Sequence, residues 1–461
     1  MDNKTVSSLK TGSFERRLSL TKAGIVAGSK MAGHLTGTLF SSKEKKAEKR
    51  KKVLSEQAHF LVGELSKLKG SVVKIGQVMA LYGEHFLPPE VTEALHTLEE
   101  NTLPLDWDII YNSLLSELGV EKLSLLDIER TPIGTASLGQ VHKATIKSTG
   151  EVICLKVQYP GVADAIDSDL NAVAQLLKLA RLVSFGPAFD DWLEEVRSMM
   201  HREVNYSLEA ETTAHFSQML ESDSRYIVPK VYFNFSTSTV LATSFESGEN
   251  VSSPRVAQLS QERRNELAKA SLSLFLDELF IWHEIQTDPN FGNYRIRISD
   301  KSDDKIVLLD FGAVQKYSED FITPVCQMIT SSYDENIEGV IKGGIALNFM
   351  NSSWPSSVLK EFAEVCIAVL EPLAKNKPLA SPESYNTNGE YAWKTSNLPT
   401  RIARRAAMSA VSRYFKVPPK EFVFLNRKLV GVYTFISVLN GQFNGDKILE
   451  PYIDNFRKRA Q

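Results

Sequence analysis

The sequence predicts an α+β chain: a helical stretch first, then a small β-rich unit with helices inserted in it, then a larger and mainly helical unit. Three observations carry that order. Residues 53–82 place Phe60, Leu61, Leu65, Leu68, Val72, Val73 and Ile75 at helical spacing. Residues 131–155 alternate as a hairpin does, about a polar turn at Ser148-Thr-Gly150. Helical periodicity returns from about residue 255 and is interrupted once, over 286–316.

The first 52 residues hold thirteen Lys or Arg against four Asp or Glu. That excess of +9 within a net charge of −3 leaves −12 on the rest of the chain (−3 − 9). Bulk charge therefore gives no reason to expect a nucleic-acid partner, while the basic start suits anionic lipid headgroups; a solvated tail fits the same composition. Gly24, Gly28, Gly33 and Gly37 would permit close helix approach, but Lys22, Lys30 and His34 oppose full insertion. An interfacial helix and a flexible lead-in are the two readings. No uncharged apolar run is long enough to span a bilayer, so no membrane-spanning helix is expected. The start also lacks the compact apolar centre of a secretory signal, and Asp2 and Glu15 weaken transit-peptide character. Residues 42–52 read as a solvated helix face or linker.

Within the helix over 53–82, Lys74-Ile-Gly-Gln77 puts Lys74 and Gln77 on one face. Leu87-Pro-Pro-Glu90 ends that unit, 91–98 read as a short helix, and 103–128 as a helix pair. After the hairpin and Tyr159-Pro-Gly161, the pattern is helical to about 217. Two strand-like runs follow, Lys230-Val-Tyr-Phe and Thr239-Val-Leu-Ala-Thr. Later helices fall near 357–374, 400–415 and 421–440, with a Ser/Asn/Pro-rich loop over 376–389. There are no internal repeats, and the segments divide at 1–52, 53–128, 129–247 and 248–461. At 461 residues and 43% apolar, the chain can bury more than one core.

The chemistry concentrates in Gln286-Thr-Asp288-Pro-Asn-Phe-Gly-Asn293 and in Asp310-Phe-Gly312, which follows the apolar run at 306–309. A carboxylate that orients a nucleophile, with two oxygen ligands for Mg²⁺, is the layout of kinase-type phosphoryl transfer. Asp288 fits the first role, Asn293 and Asp310 the second. A charge at the end of an apolar strand is costly unless paired, and a cation would pair Asp310. Gly134-Thr-Ala136-Ser-Leu-Gly139-Gln-Val fits a Gly-x-Gly-x-x-Gly-x-Val loop with Ala136 in place of the middle Gly. Gly134, Thr135, Ala136, Ser137 and Gly139 would then approach phosphate oxygens through their backbone; an ordinary hairpin turn explains the same pattern. Lys156, flanked by apolar residues, needs an anionic partner, and the α- and β-phosphates would supply one. The helix over 191–217 offers Glu203 and Glu209 as the carboxylate for Lys156. Glu209 is preferred, 53 residues on, because Lys74 is another candidate partner for Glu203. Cys154, Cys326 and Cys366 lie far apart in apolar surroundings and read as buried thiols of a reducing compartment. The histidines show no zinc spacing, and no Gly-x-Ser-x-Gly elbow occurs.

Taken together, Lys74-Ile-Gly-Gln77, the loop 134–139, Gln140-Val-His142, Lys156-Val-Gln-Tyr-Pro-Gly161, Gln286-Thr-Asp-Pro-Asn290 with Asn293, Asp310-Phe-Gly312 and Phe424-Leu-Asn-Arg-Lys428 resemble the UbiB (AarF) family of atypical protein-kinase-like proteins over about residues 55–440. Gln286-Thr-Asp-Pro-Asn looks like its ubiquinone-biosynthesis subgroup. The resemblance implies a two-lobed kinase-like fold, a helical extension over the active site, binding of ATP with Mg²⁺, ATPase activity and membrane association. It also implies a gating role for Lys74 and Gln77 against a Glu-x-Asp motif. Here that motif reads Glu203-Val-Asn205, so one charge facing Lys74 is replaced. Gly134 stands where the family often has Ala, and the paired C-terminal membrane helices of some bacterial members are missing.

The leading expectation is an ATP- and Mg²⁺-dependent atypical kinase or ATPase supporting ubiquinone (coenzyme Q) biosynthesis at a membrane surface. Its partners would be anionic lipids, quinone precursors and ubiquinone-biosynthesis enzymes, and its place a peripheral one, cytoplasmic or at the mitochondrial inner membrane. A kinase with transfer to a protein or small molecule is the second reading. A nucleotide-binding scaffold with little turnover is the third.

Overall fold

In the computed structural model, the alternation over 131–155 becomes the centre of an antiparallel sheet. The structure describes residues 51–63 (apart from 53, 57 and 61), 71–83, 87–97, 104–179 (apart from 137), 186–375, 380–402 (apart from 399) and 420–459. The readings of residues 1–50, of Leu61, Leu65 and Leu68 in the first helix, and of most of the helix near 400–415 lie outside the described residues. The chain forms two compact units: Met1–Ala214 with Lys230–Phe245, and His215–Pro229 with Glu246–Gln461.

The first unit opens with helices α1 (Ser71–Tyr82), α2 (Pro89–His96) and α3 (Trp107–Ser124). The helix pair expected over 103–128 is α3, broken at Gly119, whose φ of 76° interrupts the right-handed turn. Its expected end is instead strand β1 (Leu126–Ile128), because Leu126 pairs with Ile146 and Ile128 with Ala144 on a neighbouring strand. Next come β2 (Gly134–Thr135), β3 (Gly139–Ile146) and β4 (Val152–Gln158), then α4 (Val162–Leu179), α5 (Pro187–Glu203), α6 (Tyr206–Met219, through Ala214 in this unit) and, last in this sheet, Val240–Ser244. The sheet order is β1, β3, β4, Val240–Ser244, with β2 on β3. Gly150 turns β3 into β4 at φ 73° and donates its N–H to Ile146 O at 2.8 Å. The strand expected at Lys230-Val-Tyr-Phe is reduced to one bridge, Val231 to Thr243, and a 3₁₀ turn at Phe233–Phe235.

Strand alternation decides which side chains this unit buries. Ala144, Ile146, Leu155 and Val157 face a core shared with Val72, Ile75 and Met79 of α1 and Leu170 of α4. Gln140 stitches the sheet to the chain before α3: its Oε1 accepts from Leu105 N at 2.8 Å, and its Nε2 lies 2.9 Å from His142 Nε2. His142 Nδ1 donates to Glu129 O at 2.8 Å, which leaves Nε2 as the acceptor for Gln140. Burial holds the His142 imidazole below its usual range, against the raising effect of that backbone bond, so it stays neutral.

In the second unit, β5 (Tyr226–Ile227) precedes the strand of the first unit just described, which is β6 (Val240–Ser244). Helix α7 (Gln261–Asp277) runs into a π-helical turn at Glu278–Trp282, and His283 leaves it with φ 56°. Four short strands follow: β7 (Glu284–Gln286), β8 (Tyr294–Arg297), β9 (Lys305–Leu308) and β10 (Val314–Lys316). Helices α8 (Glu319–Tyr333), α9 (Ile337–Ala346), α10 (Ser356–Val369), α11 (Lys420–Val438) and α12 (Asp446–Arg459) complete it. β9 pairs antiparallel with β8 and parallel with β5, while β7 pairs with β10. These two small sheets frame the interruption that the sequence showed at 286–316. Phe275, Leu279, Ile322 and Ile436 bury the helical faces around them.

Candidate active site

In the first unit, β4 sends Leu155 and Val157 into the core and Lys156 to the opposite face. There Lys156 Nζ donates to both carboxylate oxygens of Glu209, at 2.7 and 2.9 Å. Glu209 lies in the first turn of α6, where the helix dipole favours a carboxylate, and its side chain is only 4% exposed. The Tyr206 ring lies 4.9 Å from the same ammonium. A lysine so held presents its charge from one fixed point, as a phosphate-binding lysine must.

Lys74 pairs with Glu203, at 2.5 Å. Over residues 71–80 of α1, Lys74 and Gln77 are the half-buried positions and the rest are buried. The predicted shared face is thus the helix's accessible one. Asn205 does different work: its Oδ1 accepts from Leu208 N at 3.1 Å, capping the helix that carries Glu209.

The loop 134–139 is a tight hairpin. Gly134 and Thr135 are exposed and pair with Val141 and Gln140, and Ala136 N–H closes the turn on Gly139 O at 2.8 Å. The Ala136 N–H is therefore engaged inside the turn. Gly139 is required by packing, since a Cβ there would lie 2.5 Å from Val157 O, whereas one on Gly134 would meet open space. Ser137 lies outside the described residues.

In the second unit, Leu309 N donates to Asn293 O at 2.9 Å, continuing the β8–β9 ladder by one step. That bond sets Asn293 beside the residue preceding Asp310. Asp288 Oδ2 accepts from Asn293 Nδ2 at 2.9 Å, and Asp310 directly follows the Leu309 that bonds Asn293, so the three predicted residues lie in one neighbourhood. The same bond orients the Asn293 amide, with its nitrogen turned to Asp288. Asp310 Oδ1 accepts from Gly312 N at 2.9 Å, and Phe311 is buried against Phe216, ring centroids 4.8 Å apart. Carboxylate and amide oxygens are the hard donors that Mg²⁺ prefers.

The sequence reading missed what stands behind this group. Arg427 Nη2 donates to Asp288 Oδ1 at 3.1 Å. Four residues on, a Cβ at Gly431 would lie 2.2 Å from Pro289 Cβ, so only glycine allows this approach. Four further on, Phe435 packs edge-on to Phe291 and Tyr294, at 5.9 and 5.5 Å. This i, i+4, i+8 stripe makes α11 the support of the Asp288 loop. Lys428, beside it, is buried with Glu278, its Nζ 3.1 Å from Oε1 and 2.8 Å from Oε2. Burial pushes the Glu278 carboxyl upward against the pull of Lys428. Two signals were available: Arg427 and Lys428 close the Phe424–Lys428 motif quoted above, and adjacent cations midway along a largely apolar helix call for partners.

A kinase-like enzyme is the class that this two-lobed fold defines. The model of the ABC1 atypical kinase-like domain matches residues 97–343, more than half of the chain. The chain belongs to that family, ABC1 or UbiB, and to its atypical kinase/ATPase class. It is 31% identical over 414 residues to a probable serine/threonine-protein kinase, abkA, of Dictyostelium discoideum, covering 87% of this chain and 71% of that protein. It is 26% identical over 391 residues to the mitochondrial atypical kinase COQ8 of Saccharomyces cerevisiae, covering 85% and 75%. Among solved structures, Rv3197 of Mycobacterium tuberculosis, determined with erythromycin, superposes with a TM-score of 0.59 at 21% identity, over 89% of this chain and 99% of that one. That likeness shows the shared fold.

Proposed function

We propose that the protein binds Mg²⁺-ATP and uses it in support of ubiquinone biosynthesis at a membrane surface. The observation that carries the nucleotide reading is the neighbourhood of Asp288, Asn293 and Asp310, set by the Leu309-to-Asn293 backbone bond. Asp310 and Asn293 hold the metal, which when bound neutralises phosphate charge. Asp288 orients the attacking hydroxyl or water and accepts its proton. Lys156, kept in place by Glu209, takes the α- and β-phosphates with the backbone of 134–139, apart from the Ala136 N–H that closes the turn. Lys74 and Gln77, with Glu203, gate access to the site.

The nucleotide reading is tested by thermal shift. Wild type gains about 2.7 kcal/mol at ~100-fold excess of Mg²⁺-ATP over its dissociation constant. Asp310→Asn, which keeps an acceptor for Gly312 N–H, gains no more from Mg²⁺-ATP than from ATP in EDTA. Equal gains in both proteins remove Asp310 from the metal.

The ubiquinone reading rests on similarity to proteins named COQ8, several of them mitochondrial. Quinone precursors and biosynthetic enzymes are the partners it brings with it. Among the described residues no helix is long and apolar enough to cross a membrane. The basic residues 1–52 are the proposed point of contact, with a peripheral position at the inner mitochondrial membrane in a eukaryote. Deleting 1–52 should cut co-sedimentation with phosphatidylserine liposomes at low salt at least tenfold, each cation contributing about 1 kcal/mol. Unchanged sedimentation discards the idea.

A further inference from the structure

The second unit encloses an apolar cavity of about 300 Å³, walled by residues of α7, α8, α10 and α11 that include Phe275, Met328, Val365, Cys366 and Phe422. None of the residues assigned to nucleotide or metal lines it. Its volume is roughly twice that of a ~150 Å³ void that stays dry and takes up benzene, and it falls at the lower end of ligand pockets. One wall residue does not belong to a dry hydrocarbon core. Ser332, on the last turns of α8, is 1% exposed, yet its Oγ has no hydrogen-bond partner. Helical serines commonly satisfy themselves on a carbonyl one turn back, and this one does not. An ordered water needs two to four polar partners, and besides the Cys366 thiol the polar side chains on these walls are Ser332 and the exposed Asn426. Burial pushes the Cys366 thiol up to about 12, so the wall carries no charge there.

We infer that this cavity binds an uncharged molecule with a hydrocarbon body of about two rings and a single hydrogen-bonding group, which Ser332 Oγ engages. Binding here is independent of the nucleotide reading and is measured without nucleotide.

The test uses the full chain and two probes of nearly equal size, 1-naphthol and naphthalene, followed by calorimetric titration. Both should bind wild type, 1-naphthol about 3- to 10-fold more tightly, the worth of one hydrogen bond. Ser332→Ala should bind the two equally. Cys366→Phe, or Val365→Phe if the first does not fold, should fill the cavity and lose both probes while keeping a single melting transition. The inference is overturned if neither probe binds wild type. It is also overturned if Ser332→Ala keeps the preference, or if a folded filling variant binds as wild type does.

Discussion

Asp288→Asn should lower ATP turnover or phosphoryl transfer by about 10²- to 10⁴-fold, the usual contribution of a positioned general base, while Mg²⁺-ATP binding stays within a few-fold. Both Asp288 oxygens are acceptors, one for Arg427 and one for Asn293. An amide in its place turns one acceptor into a donor facing another donor, so the substitution removes the base and disturbs its support. Steady-state rates together with equilibrium nucleotide binding separate the two effects. Arg427→Met makes a sharper comparison, because the carboxylate survives and only its orientation is loosened. Losing a charge-assisted hydrogen bond, about 1.5–3 kcal/mol, should reduce kcat roughly 10- to 100-fold with little change in KM for ATP. Arg427→Lys should recover part of that loss. A turnover in Asp288→Asn equal to wild type would remove Asp288 from the chemistry altogether.

Lys428→Met should destabilise the second unit by about 3–5 kcal/mol, since it leaves the Glu278 carboxylate buried without its cation. That is a large part of the ~5–15 kcal/mol by which a domain is ordinarily stable. Glu278 and Lys428 are 2% and 3% exposed, so water cannot take over for the missing partner. The double variant Glu278→Leu/Lys428→Met should return to within about 1–2 kcal/mol of wild type, because an apolar pair of similar volume is a workable substitute for a buried ion pair. Urea denaturation of the four proteins in the cycle gives the coupling directly. Additive losses in the double variant would show that the two residues act separately.

The parts legible in the sequence were those where a charge contradicted its surroundings. Asp310 at the end of an apolar strand, and Lys156 between apolar neighbours, announced the need for partners. Glu209 could be preferred over Glu203 only because Lys74 offered Glu203 an alternative, and the structure pairs both lysines in that way. β9 was legible as the apolar run 306–309, but other strands of two to four residues left no readable period. β1 was absorbed into a helix, and β5, which lies parallel to β9, depends on residues some eighty positions away. Periodicity places Arg427, Gly431 and Phe435 on one face of α11 but does not say what that face meets. A loop more than a hundred residues upstream is not inferable from one helix. Nor does any pattern in α8 disclose that Ser332 lacks a partner, which is a property of the assembled core.

The stripe on α11 also limits how this chain can be re-engineered. Asp288 sits at the tip of a loop whose proline is seated on a glycine and whose aromatic residues rest on Phe435. A graft of residues 286–293 from another phosphotransferase would arrive without its foundation unless 427–435 travelled with it. Chimaeras cut between these two segments should therefore be inert even when each parent is active. For inheritance and design alike, they form a single cassette interrupted by more than a hundred residues of unrelated chain.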